Sequence, residues 1–405
     1  MSPRARAFRL VSVLCVAALL TGCSREAPRG GPLDVVVGFG ESGNAPGQFG
    51  YPRAIDRDES SGVETIWIID KLARVQRIDA KTGRALEAWR MPKFNKGKPT
   101  GVTVWEGGAR RTASKRASEQ ASNGEGQPGQ PLLFVVDTHE HRIMVFAIRP
   151  VPRDGETLTD LPPVVATFGS YGEGDGQMVY PTDVCVVPTA DGTGIEKVFV
   201  TEYGGNDRVS IWVPDTSQGG ASGAGASSAS RYANWKFVRS FGTFGDSAAK
   251  DNVQFSRPQT MSLTDDGSQL IISDACNHRI GVFTLEGELV RWIATRGPGK
   301  EPGQVLYPYA IVPLGDGTIM VAEFGNNRLQ RLDLATGDSL GIFGQAGRAK
   351  GQLSTPWSMT RVGDLLYVLD SGNSRVVALD VPRGRPEVLT GSLASTQGDA
   401  KGGPR

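Results

Sequence analysis

The chain has 405 residues, of which 53 are Gly and 25 Pro, and its 44 basic and 43 acidic side chains leave a formal charge of +1. So even a balance excludes the strongly basic footprint of a nucleic-acid binder. Abundant Gly and Pro with ordinary aromatic content suit many short strands joined by tight turns, and the length allows one large β architecture.

Arg4, Arg6 and Arg9 precede an apolar stretch from Leu10 to Leu20 that is too short to span a bilayer comfortably and reads as an export signal. It ends in Leu20-Thr21-Gly22-Cys23, which resembles a bacterial lipobox. The resemblance implies removal of residues 1–22, a lipid on the Cys23 thiol and a membrane anchor facing an extracytoplasmic compartment. Ser24 after the cysteine suits the outer membrane, periplasmic side, if the host is Gram-negative. Losing three arginines and no acid takes the formal charge to about −2. Residues 23–33 are polar with Pro and Gly and read as a tether. Only Cys185, in a Val-rich strand, and Cys276, in a turn, remain as thiols, and the two are expected to stay separate.

Asp34 to Phe39 reads as a strand without a partner nearby. A phrase then recurs six times. Each copy has a Pro, an apolar strand ending in an acid, a short turn, and an Arg opening another apolar alternation. The prolines are Pro52, Pro99, Pro181, Pro258, Pro308 and Pro356, and the acid–Arg pairs are Asp70–Arg74, Asp137–Arg142, Glu202–Arg208, Asp274–Arg279, Glu323–Arg328 and Asp370–Arg375. Five copies carry a Gln shortly before the Pro, and the second lacks it. Loose loops at 107–131 and 214–234, rich in Gly and Ser, lengthen the second and third units, and residues 384–405 read as a frayed tail. The basic cluster of the first loop (Arg110, Arg111, Lys115, Arg116) reads as solvated.

With the loops set aside, the period is near 50 residues, as the spacings of 50 and 48 between the last three prolines show. Such a period means a propeller or a solenoid. The phrase resembles the NHL repeat from Asp34 to Asp380. Six copies predict an all-β fold over 34–383: a six-bladed β-propeller of four-stranded antiparallel blades. The sixth copy lacks its outermost strand, and Asp34–Phe39 is expected to supply it and close the ring.

Residues shared by all copies read first as scaffold: the acid gathers the N–H groups of its turn, and the Arg bridges the acid. Function is sought where the copies differ. The residues after the six prolines, Arg53, Thr100, Thr182, Gln259, Tyr309 and Trp357, begin the innermost strands and ring the channel mouth. Aromatic and hydrogen-bonding groups there suit a glycan, a peptide or a partner protein, while simple filling of the channel is the alternative. In the fourth copy, a ligand contact is sought at Cys276 and His278.

His139, His141 and His278 are the three histidines, and zinc or copper sites draw on such ligands. However, His139 and His141 flank Glu140 with no helix to align them, so all three read as exposed turn residues. The chain also resembles peptidylamidoglycolate lyase, a six-bladed enzyme whose zinc is held by histidines from separate blades. Here two of the three share one turn, so that site does not assemble by matching positions. Calcium-dependent lactonases of similar shape need acids and amides converging on the channel, and Glu202 and Glu323 instead pair with an Arg in sequence. The sequence requires no cofactor. It leads to an envelope-anchored binding platform, expected as a monomer that binds no nucleic acid, with a metal-dependent lyase or lactonase as the alternative.

Overall fold

The computed structural model describes residues 34–95, 98–108, 129–217 and 231–381. The expected signal segment, Cys23, the expected tether, most of both expected loose loops and the expected tail lie outside the described residues.

After β1 (Val35–Phe39), blade 1 holds β2 (Pro52–Asp58), β3 (Thr65–Asp70), β4 (Arg74–Asp79) and β5 (Ala85–Arg90). Blade 2 holds β6 (Gly101–Trp105), β7 (Leu132–Asp137), β8 (Arg142–Ala147) and β9 (Val164–Phe168). Blade 3 holds β10 (Pro181–Pro188), β11 (Ile195–Glu202), β12 (Arg208–Pro214) and β13 (Trp235–Phe241). A two-residue pairing of β14 (Thr243–Phe244) with β15 (Gln254–Phe255) leads to blade 4, with β16 (Pro258–Leu263), β17 (Gln269–Asp274), β18 (Arg279–Thr284) and β19 (Leu289–Ile293). Blade 5 holds β20 (Pro308–Pro313), β21 (Thr318–Glu323), β22 (Arg328–Asp333) and β23 (Ser339–Phe343). Blade 6 holds β24 (Pro356–Val362), β25 (Leu365–Asp370) and β26 (Arg375–Asp380), and its fourth strand is β1. The protein is thus a six-bladed propeller, closed as the sequence predicts by antiparallel pairing of Val35, Val37, Gly38 and Phe39 with Leu379, Ala378, Val377 and Val376. That pairing covers an edge that would otherwise expose a row of N–H and C=O groups.

Burial explains the patterning. A middle strand lies between two neighbouring blades, so both of its faces are covered and the strand reads as a continuous apolar run. All six residues of β3 and of β7 are buried. The outermost strands are less completely covered, and β1 alternates between half-buried and exposed. Six hydrophobic clusters result, each shared by two adjacent blades, such as Trp67, Trp89 and Phe146 between blades 1 and 2. Side chains from different blades build each core, so no blade has a complete core alone. Gly242, at φ +82°, shows how tight the crossovers are: a Cβ there would lie 2.3 Å from the Phe255 ring.

Blade 2 departs from the pattern. The other inner strands begin at the Pro, with Pro paired to the repeat acid, whereas β6 begins at Gly101, two residues after Pro99. The missing Gln accounts for part of this. In the other five blades that Gln side chain accepts a hydrogen bond from a backbone N–H of its own loop, as Gln48 Oε1 does from Ala45 at 3.1 Å. Its carbonyl is held by the repeat Arg, at 2.7 Å for Arg74 and Gln48. Arg142 has no such carbonyl, and its Nη2, although 2.9 Å from Asp137 Oδ2, makes no well-directed hydrogen bond.

Candidate functional site: the turn-face mouth of the central channel

The acid-to-Arg turns and the crossovers before each Pro lie on one face. The acid makes the connection itself: Asp274 Oδ1 accepts the Ser256 N–H at 2.7 Å, and Asp70, Glu202, Glu323 and Asp370 do the same for Gly50, Val179, Leu306 and Ser354. Every repeat acid also takes the Nε–H of its Arg, at distances from 2.6 to 3.0 Å. Asn277 adds a hydrogen bond to Asp274 at 2.8 Å, and the Arg279 guanidinium carbon lies over Trp292, 3.9 Å from the ring centre. Burial pushes the Asp274 carboxyl up to about 6 against the opposing pull of the Ser256 N–H, Asn277 and Arg279. The same cause raises Asp137, Glu202 and Glu323. Cys276 and Cys185 are separate thiols, the first half-buried beside this turn and the second buried in β10.

Between blades the turn face is stitched by a second device. The residue just before the repeat Arg is left-handed in five blades, as Ala73, His141, His278, Asn327 and Ser374, with φ between 53° and 59°. The residue before the Pro is left-handed too, as Tyr51, Tyr180, Arg257, Tyr307 and Thr355. Sterics disfavour that conformation, so each needs support from its surroundings. In four seams the support is a hydrogen bond from the N–H of the residue before Pro to the turn residue of the preceding blade. Tyr180 donates to His141 Nδ1 at 3.2 Å, Arg257 to Asp207 Oδ1 at 2.5 Å, Tyr307 to His278 Nδ1 at 3.1 Å and Thr355 to Asn327 Oδ1 at 2.7 Å. His141 and His278 are therefore half-buried acceptors rather than exposed turn residues, and burial lowers the pKa of both. Among the described residues no three His, Cys, Asp or Glu side chains are grouped to hold a metal ion, and His278 stands two blades from His139 and His141.

The six inner strands enclose a central channel of about 880 Å³ that Arg53, Thr100, Gln259, Tyr309 and Trp357 line at the turn face. Thr100 and Thr182 act as seam residues: Thr100 Oγ1 donates to the Thr182 carbonyl at 2.9 Å, and Thr182 Oγ1 to the Pro258 carbonyl at 2.7 Å. Tyr309 and Trp357 are 6% and 8% exposed, so they do not stand as open platforms. They pack on Ala275 with Tyr51 and Phe324 in a seventh cluster that narrows the mouth. Tyr309 stacks on Phe324 at 4.4 Å and meets Trp357 edge-on at 4.9 Å. Arg53 lies over Trp357 at 5.2 Å, while Arg257, in blade 4, lies over Tyr203 at 4.9 Å and over Tyr309 at 5.7 Å. Gln259 accepts from Arg257 Nε at 3.2 Å.

Deeper in the channel, two carboxylates join adjacent inner strands. Asp56 accepts the Val104 N–H at 2.8 Å, and Asp183 accepts the Met261 N–H at 2.8 Å with the Thr260 hydroxyl at 2.9 Å. Burial pushes Asp183 up to about 7. Both are committed to backbone donors and read as seam residues.

Sequence reasoning missed Arg257, Tyr51 and Tyr203. For Arg257 and Tyr51 the available signal was the position before the Pro, where Arg257 stands in place of the Tyr of three other blades, while Tyr203 follows the repeat acid Glu202.

No protein-family model matches the chain, and no curated protein matches it in sequence. Solved structures of similar shape include the selenomethionine-substituted virginiamycin B lyase of Staphylococcus aureus, 13% identical with a TM-score of 0.42, covering 79% of this chain and 78% of that one. A streptogramin B lyase is 14% identical with a TM-score of 0.46, covering 85% and 96%. The propeller domain of Cps50 (Swd1) from Myceliophteria thermophila is 10% identical with a TM-score of 0.46, covering 82% and 84%. Similarity this distant carries no argument about activity, and the architecture rests on the strand pairing of the chain itself.

Proposed function

We propose that this chain is a lipid-anchored, NHL-type propeller of a bacterial envelope that acts as a binding platform, taking a peptide, a glycan or a partner protein at the turn-face mouth of its channel. The repeats support the NHL assignment, and the Leu20–Cys23 phrase supports the anchor. One observation carries the binding reading. The repeat arginines are all spent on scaffold acids, yet the mouth holds Arg53 and Arg257 among Tyr51, Tyr203, Tyr309 and Trp357 with no acidic partner for either guanidinium among the described residues. Polar groups converging among aromatic side chains at a channel mouth are what a ligand site supplies.

The experiment is a binding panel of peptidoglycan fragments, oligosaccharides and short peptides against the full chain, with Trp357→Phe and Arg257→Gln as controls. Binding that these substitutions weaken supports the reading, and binding indifferent to both contradicts it. The anchor is tested by Cys23→Ser, which should release the protein from the membrane fraction. A metal-dependent lyase or lactonase-like enzyme is the competing reading. Stoichiometric zinc or calcium, lost when His139, His141 or His278 is changed, would favour it.

A further inference from the structure

We infer that Arg53 and Arg257 form the receptor for a carboxylate group of the ligand, held between them at the aromatic mouth of the channel. This deepens the platform reading and rests on it.

Arg53 follows the Pro of blade 1 and Arg257 precedes the Pro of blade 4, so in a ring of six blades the two approach the mouth from opposite sides. Their connection is a chain of ring contacts from Arg53 to Trp357, Trp357 to Tyr309, and Tyr309 to Arg257. Each guanidinium carbon lies 4.9 to 5.7 Å from an aromatic ring centre, within cation–π range.

Hydrogen bonding then shows what is unspent. Arg53 makes no hydrogen bond or ion pair among the described residues, and its Nε–H is buried without a partner. The Trp357 indole N–H, in a side chain 8% exposed, is likewise buried and unpartnered. Arg257 uses only its Nε–H, toward Gln259. The contrast with Arg279 is direct: its guanidinium reaches one carboxylate and three carbonyls. Buried donors are paired as a rule, with protein, water or ligand, so both groups are available to an acceptor. Two half-buried cations also repel one another: burial is the main cause that lowers the Arg53 pKa, Tyr51 and Tyr203 oppose it, and the charge of Arg257 adds a smaller lowering. An anion between them relieves both penalties.

The chemistry favours a carboxylate. A guanidinium fork matches a planar carboxylate in two parallel hydrogen bonds, and flat aromatic walls admit a planar group while excluding water. Phosphate carries more charge and more oxygens, which suit a nest of backbone N–H groups better than two guanidiniums among aromatic rings.

The test uses the full chain and three probes: N-acetyl-tyrosine, its uncharged amide N-acetyl-tyrosinamide, and inorganic phosphate, each titrated by calorimetry. N-acetyl-tyrosine should bind about tenfold more tightly than the amide, since the charge-assisted pair is lost in the amide. Arg53→Gln or Arg257→Gln should reduce it to the level of the amide, and Arg53→Lys should fall between, because it keeps the charge and loses the fork. Circular dichroism of each variant confirms that the fold is retained, and ligand-induced shifts in Tm are compared within each variant, so a change in basal stability does not confound the result. Equal binding of acid and amide, or equal binding of phosphate, overturns the carboxylate assignment while leaving the platform intact. Absence of all binding, by these probes and by the peptidoglycan, glycan and peptide panel, overturns both.

Discussion

Replacing Asp274 by Ala removes one carboxylate and strands three donors: the Ser256 N–H, the Asn277 amide and the Arg279 Nε–H. Asp274 is fully buried and Arg279 is 7% exposed, so water reaches neither group freely. Breaking a buried pair by deleting one partner costs about 3–5 kcal/mol. Arg279 keeps its contacts to the carbonyls of Asp246, Ser247 and Gln254 and to Trp292, which places the expected loss at the lower end of that range. At the few degrees per kcal/mol usual for large domains, this lowers Tm by roughly 6 °C. The double replacement Asp274→Leu with Arg279→Met should recover much of the loss, because it removes the stranded charge along with the pair. Thermal unfolding followed by circular dichroism measures both variants. A shift below about 1 °C for Asp274→Ala, or a double variant no better than the single one, would refute the view that this pair is scaffold.

The blade seams predict a dependence on pH. His141 and His278 accept N–H groups through Nδ1 and have lowered pKa values in the folded protein, so the stability they contribute is present above the unfolded pKa near 6.5 and is lost as pH falls through the lower folded value. His141→Asn with His278→Asn, which copies the Asn327 seam, should flatten that part of a Tm-versus-pH curve while changing the neutral-pH value little. Deleting Val35–Phe39 removes the fourth strand of blade 6, and at about 0.5–1.5 kcal/mol for each lost hydrogen bond the cost is several kcal/mol, with an exposed edge that promotes aggregation in light scattering. Trp357→Ala should lower stability by about 3–5 kcal/mol, as expected for a buried aromatic, and a loss under about 1 kcal/mol would return Trp357 to the role of an open platform.

The fold was legible because a propeller repeats its local chemistry. Pro, acid and Arg recur at fixed offsets, and the unpaired Asp34–Phe39 strand marked where the ring closes. The site was much less legible, because it is assembled from single residues of different blades. Nothing local in sequence joins Arg53 to Trp357 or Arg257 to Tyr309, since each pair meets only once the ring has closed. Thr100 and Thr182 stood at the expected place in each strand, but their hydroxyls turn to the neighbouring blade's carbonyls. The histidines misled for the same reason: their Nδ1 atoms satisfy backbone donors about 30 to 40 residues away in sequence, a pairing that no spacing rule reveals. Buried charge in the outer part of blade 1 was also invisible: Arg77, fully buried, bridges Asp58 at 2.7 Å from a strand that reads as ordinary alternation.

The central claim is a division of labour between arginines, those of the repeat holding the fold and those of the mouth holding a ligand. Measuring Tm and N-acetyl-tyrosine affinity together for Arg279→Gln and Arg53→Gln tests it most directly. Arg279→Gln should lower Tm and spare affinity, while Arg53→Gln, which removes a half-buried charge with no hydrogen-bond or ion-pair partner among the described residues, should leave Tm unchanged or higher and abolish the preference for the carboxylate. The reverse pattern, or equal effects of both substitutions on both quantities, would contradict it.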